Sequence, residues 1–302
     1  MRLFLFFLLT SMVSFGQNID FEGEVIDAVS RESIPYVNIS FLNTLKGTST
    51  AEDGKFSVEI PKTYLTKQIH VSSLGYKDTI LLASELYKSK ILKMKEETFA
   101  LDEVVIAKNL GNSQVLNPIS SKSITSGFDS SSTPWVLALY FPNIGAAKKY
   151  LETVTVFFRN KNQFTREKAK FRLRFYSVNK ENKQPDKDLL QKSIILEAVK
   201  SYDYTSIDVS SLKLKIPRGG IYIGLEWLFI PYNWYRKDTK EELTNKQFSE
   251  DRFAPTFGGI YTKNPNYEVM IYGMGEWREF KVKSKDNQQN FIPAVSIKIA
   301  KN

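Results

Sequence analysis

Short stretches in which apolar and polar side chains alternate recur along most of this chain. Val37–Phe41 (VNISF) and Phe56–Ile60 (FSVEI) alternate in the first half, and Phe171–Tyr176 (FRLRFY) alternates in the second. A period of two is typical of a β-strand with one buried face and one exposed face. No segment keeps an amphipathic helical period over three turns. The sequence therefore predicts an all-β fold of antiparallel strands.

The distribution of these stretches divides the chain into two β-sandwich domains. The 302 residues suffice for two domains of ordinary size. Strand candidates fill residues 17–108, and longer ones return over residues 134–302. Residues 109–133 between them are rich in serine and show no hydrophobic period, which predicts a linker whose end can pair with the next sheet. The candidate strands are Phe21–Ile26, Val37–Leu42, Lys55–Ile60, Gln68–Ser72, Asp78–Leu82, Val104–Ile106, Thr153–Phe158, Phe171–Tyr176, Ile194–Ala198, Thr205–Val209, Gly220–Leu228, Tyr267–Tyr272, Trp277–Phe280 and Ala294–Ile299.

The first 16 residues have the pattern of a cleaved signal peptide. Arg2 gives a short positive region, Leu3–Leu9 is apolar, and Ser14 and Gly16 place small residues before a cleavage site at Gln17. The apolar run is too short to span a bilayer. We therefore expect an exported protein that is periplasmic, associated with the outer membrane or secreted.

The composition narrows the chemistry open to the mature chain. There is no cysteine, which excludes disulfides, thiol catalysis, cysteine-bound metals and a lipid anchor on cysteine. No later stretch is long and apolar enough to form a transmembrane segment. The net charge is +9, but the basic residues are scattered and mostly lysine, so we expect no nucleic-acid partner.

A series of motifs in residues 19–108 resembles a known domain family. Gly23–Asp27 is followed by Ile34–Ile39, Gly47–Thr50, Asp53–Phe56 and Ser73–Tyr76, in an order similar to that of the carboxypeptidase-regulatory-like domain. The resemblance implies a prealbumin-like, seven-stranded sandwich. Independently of it, the aspartate and glycine of Glu52–Lys55 predict a hairpin turn around Gly54. The domain is regarded as a folding or interaction module in this family, so no catalytic residue is carried over.

The segment after these motifs extends the resemblance. Leu101–Ile106 (LDEVVI) is similar to the strand that follows this domain at the front of many TonB-dependent outer-membrane receptors of Bacteroidetes-type bacteria. No receptor plug or barrel follows here, and no peptidase domain is attached. Residues 134–302 are similar only in general pattern to jelly-roll modules of exported bacterial proteins.

Few residues have partners that would support catalysis or metal binding. His70 is the single histidine, and we expect a half-exposed strand position for it. Asp186 and Asp188 are weak candidates for Ca²⁺ because the usual loop motif is missing. The loop carboxylates that could hydrolyse a glycoside are Glu226, Asp238, Glu241, Glu242, Glu250 and Asp251. Most of them lie among lysine and arginine, so we expect no enzyme, no metal and no cofactor.

The stretch from Trp227 to Tyr267 is rich in aromatic residues and is predicted to be a long irregular excursion between strands. Such loops are uncommon in compact domains unless they are functional or disordered. Tyr232, Trp234 and Tyr235 are the candidate ligand-binding residues, as an exposed surface for a glycan or a protein. The alternative is that these rings pack over the open end of the sandwich.

Three functions stay open at this point. The first is a non-enzymatic binding or accessory module of the cell envelope that recognises a protein or a glycan. The second is a glycan-active hydrolase that uses loop carboxylates. The third is a purely structural or adhesion protein. The composition disfavours the second, and the exposure of the aromatic residues would separate the first from the third.

Overall fold

The computed structural model describes residues 17–97, 113–130, 133–143, 149–159, 166–240, 247–273, 275–284 and 289–301. Over these ranges the chain is built almost entirely from β-strands, and with one exception the strands pair antiparallel. The all-β prediction is confirmed. The signal-peptide segment 1–16 and the predicted strand Val104–Ile106 lie outside the described residues.

The first domain is a sandwich of two sheets with the order β4-β1-β7 and β3-β2-β5-β6, which gives the expected seven strands. A short helix, α1 (Ala83–Ser89), joins the two sheets. The core contains Phe21, Phe41 and Phe56, whose rings lie 5.2–5.6 Å apart in two contacting pairs. The strands are β1 (Asn18–Asp27), β2 (Asn38–Phe41), β3 (Gly47–Ser49), β4 (Lys55–Pro61), β5 (Gln68–Ser72), β6 (Thr79–Leu82) and β7 (Ile91–Met94).

The turn around Gly54 differs from the predicted hairpin. Gly54 has φ +72°, and the Lys55 N–H donates to Asp53 Oδ1 at 3.1 Å, as expected for a turn of this composition. The strands on either side, β3 and β4, belong to different sheets. The turn is therefore an arch that carries the chain from one sheet of the sandwich to the other.

The second domain has three antiparallel sheets around one large apolar core, where two sheets were expected. The largest sheet has the order β13-β12-β16-β10-β19-β20, with β14 also paired to β12. The others are β15-β11-β22-β8 and β17-β18-β21, with β9 also paired to β18. The strands are β8 (Ser113–Leu116), β9 (Ser126–Ser130), β10 (Val136–Phe141), β11 (Lys149–Phe157), β12 (Lys168–Val178), β13 (Pro185–Asp188), β14 (Ile194–Val199), β15 (Tyr204–Asp208), β16 (Ile221–Trp227), β17 (Trp234–Lys240), β18 (Gln247–Thr262), β19 (Val269–Gly273), β20 (Glu276–Glu279), β21 (Asn290–Pro293) and β22 (Val295–Lys301).

The serine-rich segment 109–133 was expected to pair with the next sheet only at its end, but it already contributes a strand near its start. Strands β8 and β9 lie in this segment and belong to two sheets of the second domain. Asn117 donates from Nδ2 to the Val295 carbonyl at 2.8 Å, and the Phe128 ring stacks on Phe291 at 4.8 Å. A serine-rich segment can form strands here because its backbone pairs with β22 and β18, and these two strands supply the apolar side chains that the segment lacks.

The largest sheet is strongly curved. Tyr176 on β12 and Trp277 on β20 are separated by three intervening strands, yet their ring centroids lie 5.3 Å apart. Gln184 Nε2 also donates to the Trp277 carbonyl at 3.4 Å. The two edges of the sheet therefore approach each other, and Tyr176, Tyr222 and Trp277 fill part of its concave face.

The first domain covers another part of that face. Arg172 on β12 donates from Nη2 to the Tyr36 carbonyl at 2.6 Å, and Asn38 on β2 donates to Glu226 on β16. Beside these contacts, the edge strand β3 bonds to the segment after β16, where the Ser49 N–H donates to the Phe229 carbonyl at 3.2 Å. The two sandwiches are thus joined by buried hydrogen bonds.

Candidate binding site

A cleft of about 280 Å³ lies at one edge of the second sandwich. It lies between β19 of the curved sheet and β21 of a neighbouring sheet. The second cavity, of about 10 Å³, lies at the domain junction and has room for roughly one water molecule. The cleft is lined by Pro265, Tyr267, Glu268, Val269, Glu279, Phe280, Lys281, Val282, Lys283, Asn290, Phe291 and Ile292.

A short segment, residues 279–283, crosses from one wall of the cleft to the other. The Phe280 N–H donates to the Val269 carbonyl at 2.9 Å, which fixes one end of the segment to β19. The Val282 carbonyl accepts from the Phe291 N–H at 2.8 Å, which fixes the other end to β21. We call residues 279–283 the strap. The strap lines the cleft and is bonded to both of its walls.

Aromatic rings form the inner surface of the cleft. Phe291 is only 7% exposed and stacks on Phe128, which also meets Phe280 edge-to-face at 5.4 Å. Tyr261 lies 5.1 Å from the Phe291 ring and is 41% exposed. The Tyr267 ring meets the core ring of Phe141 at 5.5 Å. These contacts hold the apolar surface of the cleft in place.

Polar side chains surround this apolar surface. Lys281 on the strap pairs with Glu279, with Nζ and Oε1 at 2.7 Å. The side chains of Glu268, Lys283 and Asn290 make no hydrogen bond or ion pair with another residue that the structure describes. The cleft thus combines flat apolar faces with a carboxylate, an ammonium group and an amide that are available to a ligand.

The three predicted aromatic residues do not form one surface. Trp227–Tyr267 is not an irregular excursion, since it contains the hairpin of β17 and β18, in register from Trp234 opposite Phe253 to Lys240 opposite Gln247. Neighbouring residues of a strand point to opposite faces. Trp234 is accordingly 44% exposed, whereas Tyr235 is 3% exposed.

The prediction that Tyr235 is an exposed contact is therefore wrong. Its ring packs against Ala169 and Ala254, and burial raises the pKa of its hydroxyl to about 12. Tyr232 is half-buried, and its ring centroid lies 5.0 Å from the Arg166 guanidinium and 5.5 Å from Lys170 Nζ. Tyr235 is thus packed inside the protein, as the alternative interpretation expected. Of the three predicted residues, only Trp234 has a ring that is largely exposed to solvent.

The other candidate groups have structural partners. His70 is buried rather than half-exposed, and its Nε2 lies 3.0 Å from Asp78 Oδ2. Asp188 pairs with Arg174, and burial raises the pKa of this carboxyl above its usual value even though Arg174 opposes the shift. Asp186 is exposed. Over the described ranges, no group of three or more acidic or histidine side chains could hold a metal ion.

Most of the predicted loop carboxylates are also engaged. Glu226 is completely buried and pairs with Arg172 and Arg174. Ser249 donates to Asp238 at 2.5 Å, and Glu250 pairs with Arg252. Asp251 lies opposite Arg236 in the β17–β18 register. Glu241 and Glu242 lie outside the described residues. Glu226, Asp238 and Glu250 therefore bond to other side chains of the fold, and none of the described members of this set lines the cleft.

The cleft could not be found from the sequence pattern alone. Its lining comes from three separate segments, and none of its residues was among the candidates. The one available indication was the closely spaced Phe280, Val282 and Phe291 around a polar turn region. Of the helices in the described ranges, none is long and apolar enough to cross a membrane.

Comparison with known proteins identifies the first domain. Residues 21–106 match the family model of the CarboxypepD_reg-like domain. The predicted carboxypeptidase-regulatory-like domain is confirmed by this match, which covers the first sandwich and does not reach the cleft. No curated protein matches the chain.

Proposed function

We propose that this chain, which carries a CarboxypepD_reg-like domain at residues 21–106, is a non-catalytic binding protein of the cell envelope whose second sandwich recognises a glycan. The observation that supports this most is the cleft with an aromatic inner surface and with polar side chains that have no bonding partner among the described residues. Residues 1–16, with the pattern of a signal peptide, support export to the periplasm, the outer membrane or the medium.

A glycan fits the chemistry of the cleft. Sugar rings have apolar C–H faces that pack on aromatic rings, and their hydroxyls bond to carboxylates, amides and ammonium groups. Phe280 and Tyr267 line the cleft and offer partly exposed ring surface, and Asn290 and Glu268 offer acceptors and donors nearby. Binding pockets of this kind are mostly apolar with a few convergent polar groups.

Catalysis is disfavoured by the positions of the carboxylates. Glycoside hydrolysis needs two carboxyl groups on either side of the scissile bond, one of them shielded so that it stays protonated. Glu268 and Glu279 line the cleft, but both are exposed to solvent, and Glu279 pairs with Lys281. We therefore propose binding without turnover.

A glycan array probed with the protein from Gln17 onward tests this function. The array carries neutral and acidic oligosaccharides together with the polysaccharides from which they derive. We expect saturable binding to a restricted set of these glycans and no release of reducing sugar from them. Failure to bind any glycan would overturn the proposal, and release of reducing sugar would replace it with the hydrolase.

A further inference from the structure

Resting on the proposed glycan binding, we infer that the cleft accepts the end of a glycan chain, one or two sugar residues long, and not an internal stretch. The features that lead to this inference are the strap across the cleft, the rigidity of its walls and its small volume.

The strap prevents a polymer from passing through the cleft. Its hydrogen bonds to Val269 and Phe291 tie residues 279–283 to both walls, so that a chain lying along the cleft would meet backbone. A binding site for an internal stretch has to be open at both ends so that the polymer can continue on either side. A cleft closed on one side admits a chain that stops inside it.

The walls are held by strand pairing, so the cleft has little freedom to widen. On one wall, β19 pairs with β10 and with β20. On the other wall, Tyr261, Ile260 and Thr262 of β18 pair with β21. The Phe291 side chain is fixed between Phe128 and Tyr261. A preformed site of this kind binds with a low ordering cost and excludes larger ligands.

The volume limits the ligand to a small unit. The cleft measures about 280 Å³, which is just below the usual range for sites of small molecules. A longer oligosaccharide would have to leave most of its residues in solvent, where they add few contacts. Affinity should then stop rising once the first one or two residues are bound.

The test asks whether the amount of bound protein follows the number of glycan chain ends or the total mass of sugar. Dextran, xylan and mannan are each presented intact and after partial acid hydrolysis, at equal mass of sugar. For a polysaccharide that binds, shortening the chains about tenfold should raise the protein bound per gram about tenfold, since the number of ends rises in proportion. The disaccharide and the hexasaccharide of that polymer should bind with affinities within about threefold of each other.

The outcomes separate the inference from the proposed function. Binding that follows the mass of sugar, or that strengthens steadily up to the hexasaccharide, overturns recognition of chain ends while glycan binding stands. Absence of binding to every glycan on the array overturns both. In Val282→Trp the new ring fills the cleft, whereas Val29→Trp leaves the cleft unchanged. The inference is supported if end-dependent binding is lost in Val282→Trp and kept in Val29→Trp.

Discussion

Arg172 Nη1 donates to Glu226 Oε1 at 2.8 Å, and neither side chain is exposed to solvent. The two residues face each other on neighbouring strands of the curved sheet. Arg172 also reaches the Tyr36 carbonyl, and Glu226 accepts from Asn38, so the pair bonds to the first sandwich as well. A buried ion pair is costly to break because the partner left behind stays buried and charged.

Replacing Glu226 should therefore strongly destabilise the whole protein. We expect Glu226→Gln to lower the free energy of unfolding by about 3–5 kcal/mol in urea denaturation, because Arg172 keeps its charge and loses its counter-ion. Glu276→Gln is the matched control, since its pair with Arg278 is more than half exposed and surface pairs contribute about 0–1 kcal/mol. Equal effects of the two substitutions would contradict the structural role of the buried pair.

Gly224 is required for the packing on the concave face. A Cβ at this position would lie 2.8 Å from Tyr176 Cε2 and 3.2 Å from both Arg174 Cβ and Val136 Cγ1. We expect Gly224→Ala to cost about 1–3 kcal/mol of unfolding free energy through overpacking. Gly273→Ala is the control, because no atom of the described residues lies within 4 Å of its added Cβ. A thermal melt in which both variants match the parent would refute this packing.

The sequence predicted the strands that carry their own pattern. Val37–Phe41 and Phe56–Ile60 alternate visibly. The structure places Asn38–Phe41 in β2 and Phe56–Ile60 in β4, with Ile39, Phe41, Phe56 and Ile60 in the core. The order of the glycine and aspartate turns was sufficient to identify the first domain. Strand alternation and turn residues depend only on neighbouring positions, so they can be predicted from a single sequence.

Features that depend on long-range pairing were missed. Strands β8 and β9 contain mainly small and polar residues, and only their partners β22 and β18 make them strands. Arg172 and Glu226 occupy the polar positions of alternating strands, which predicts exposure unless a second domain covers that face. The cleft also has no local pattern, because it forms where the strap joins two sheets.

Trp234 and Tyr235 should respond oppositely to truncation. Tyr235→Ala removes a buried ring and should lower the unfolding free energy by about 3–5 kcal/mol, seen as a reduced melting temperature. Trp234→Ala removes a ring that is 44% exposed and should leave the melting temperature nearly unchanged. If Trp234→Ala abolished glycan binding while the fold stayed intact, the site would lie on the β17–β18 hairpin instead of in the cleft.

The carboxylate of Asp27 gives the first domain a pH-dependent contribution to stability. The backbone N–H groups of Ser30 and Val29 each donate to Asp27 Oδ1 at 2.7 Å, and these bonds lower its pKa. A folded-state pKa below the unfolded value of about 3.9 stabilises the fold above that pH, and this stabilisation is lost as the pH falls through the folded-state pKa.

Asp27→Asn should therefore be less stable than the parent at pH 7, and the difference should shrink as the pH falls below the unfolded-state pKa of about 3.9 and through the lower folded-state pKa. Urea unfolding at a series of pH values measures it. Asp20→Asn, an exposed position on the same strand, should show no difference at either end of the series. A stability loss in Asp27→Asn that stays constant from pH 7 down to about pH 2 would show that the charge plays no part.

Glycan binding by the Val282→Trp variant tests the central claim most directly. Val282 lines the cleft and is 41% exposed, so a tryptophan there fills the cleft without replacing a core residue. Val29→Trp, at a position that is 90% exposed in the first domain, is the control. On the array, we expect Val282→Trp to lose at least about tenfold in affinity, about 1.4 kcal/mol, with an unchanged melting temperature, while Val29→Trp binds like the parent. Full binding by Val282→Trp would contradict the assignment of the cleft as the glycan site.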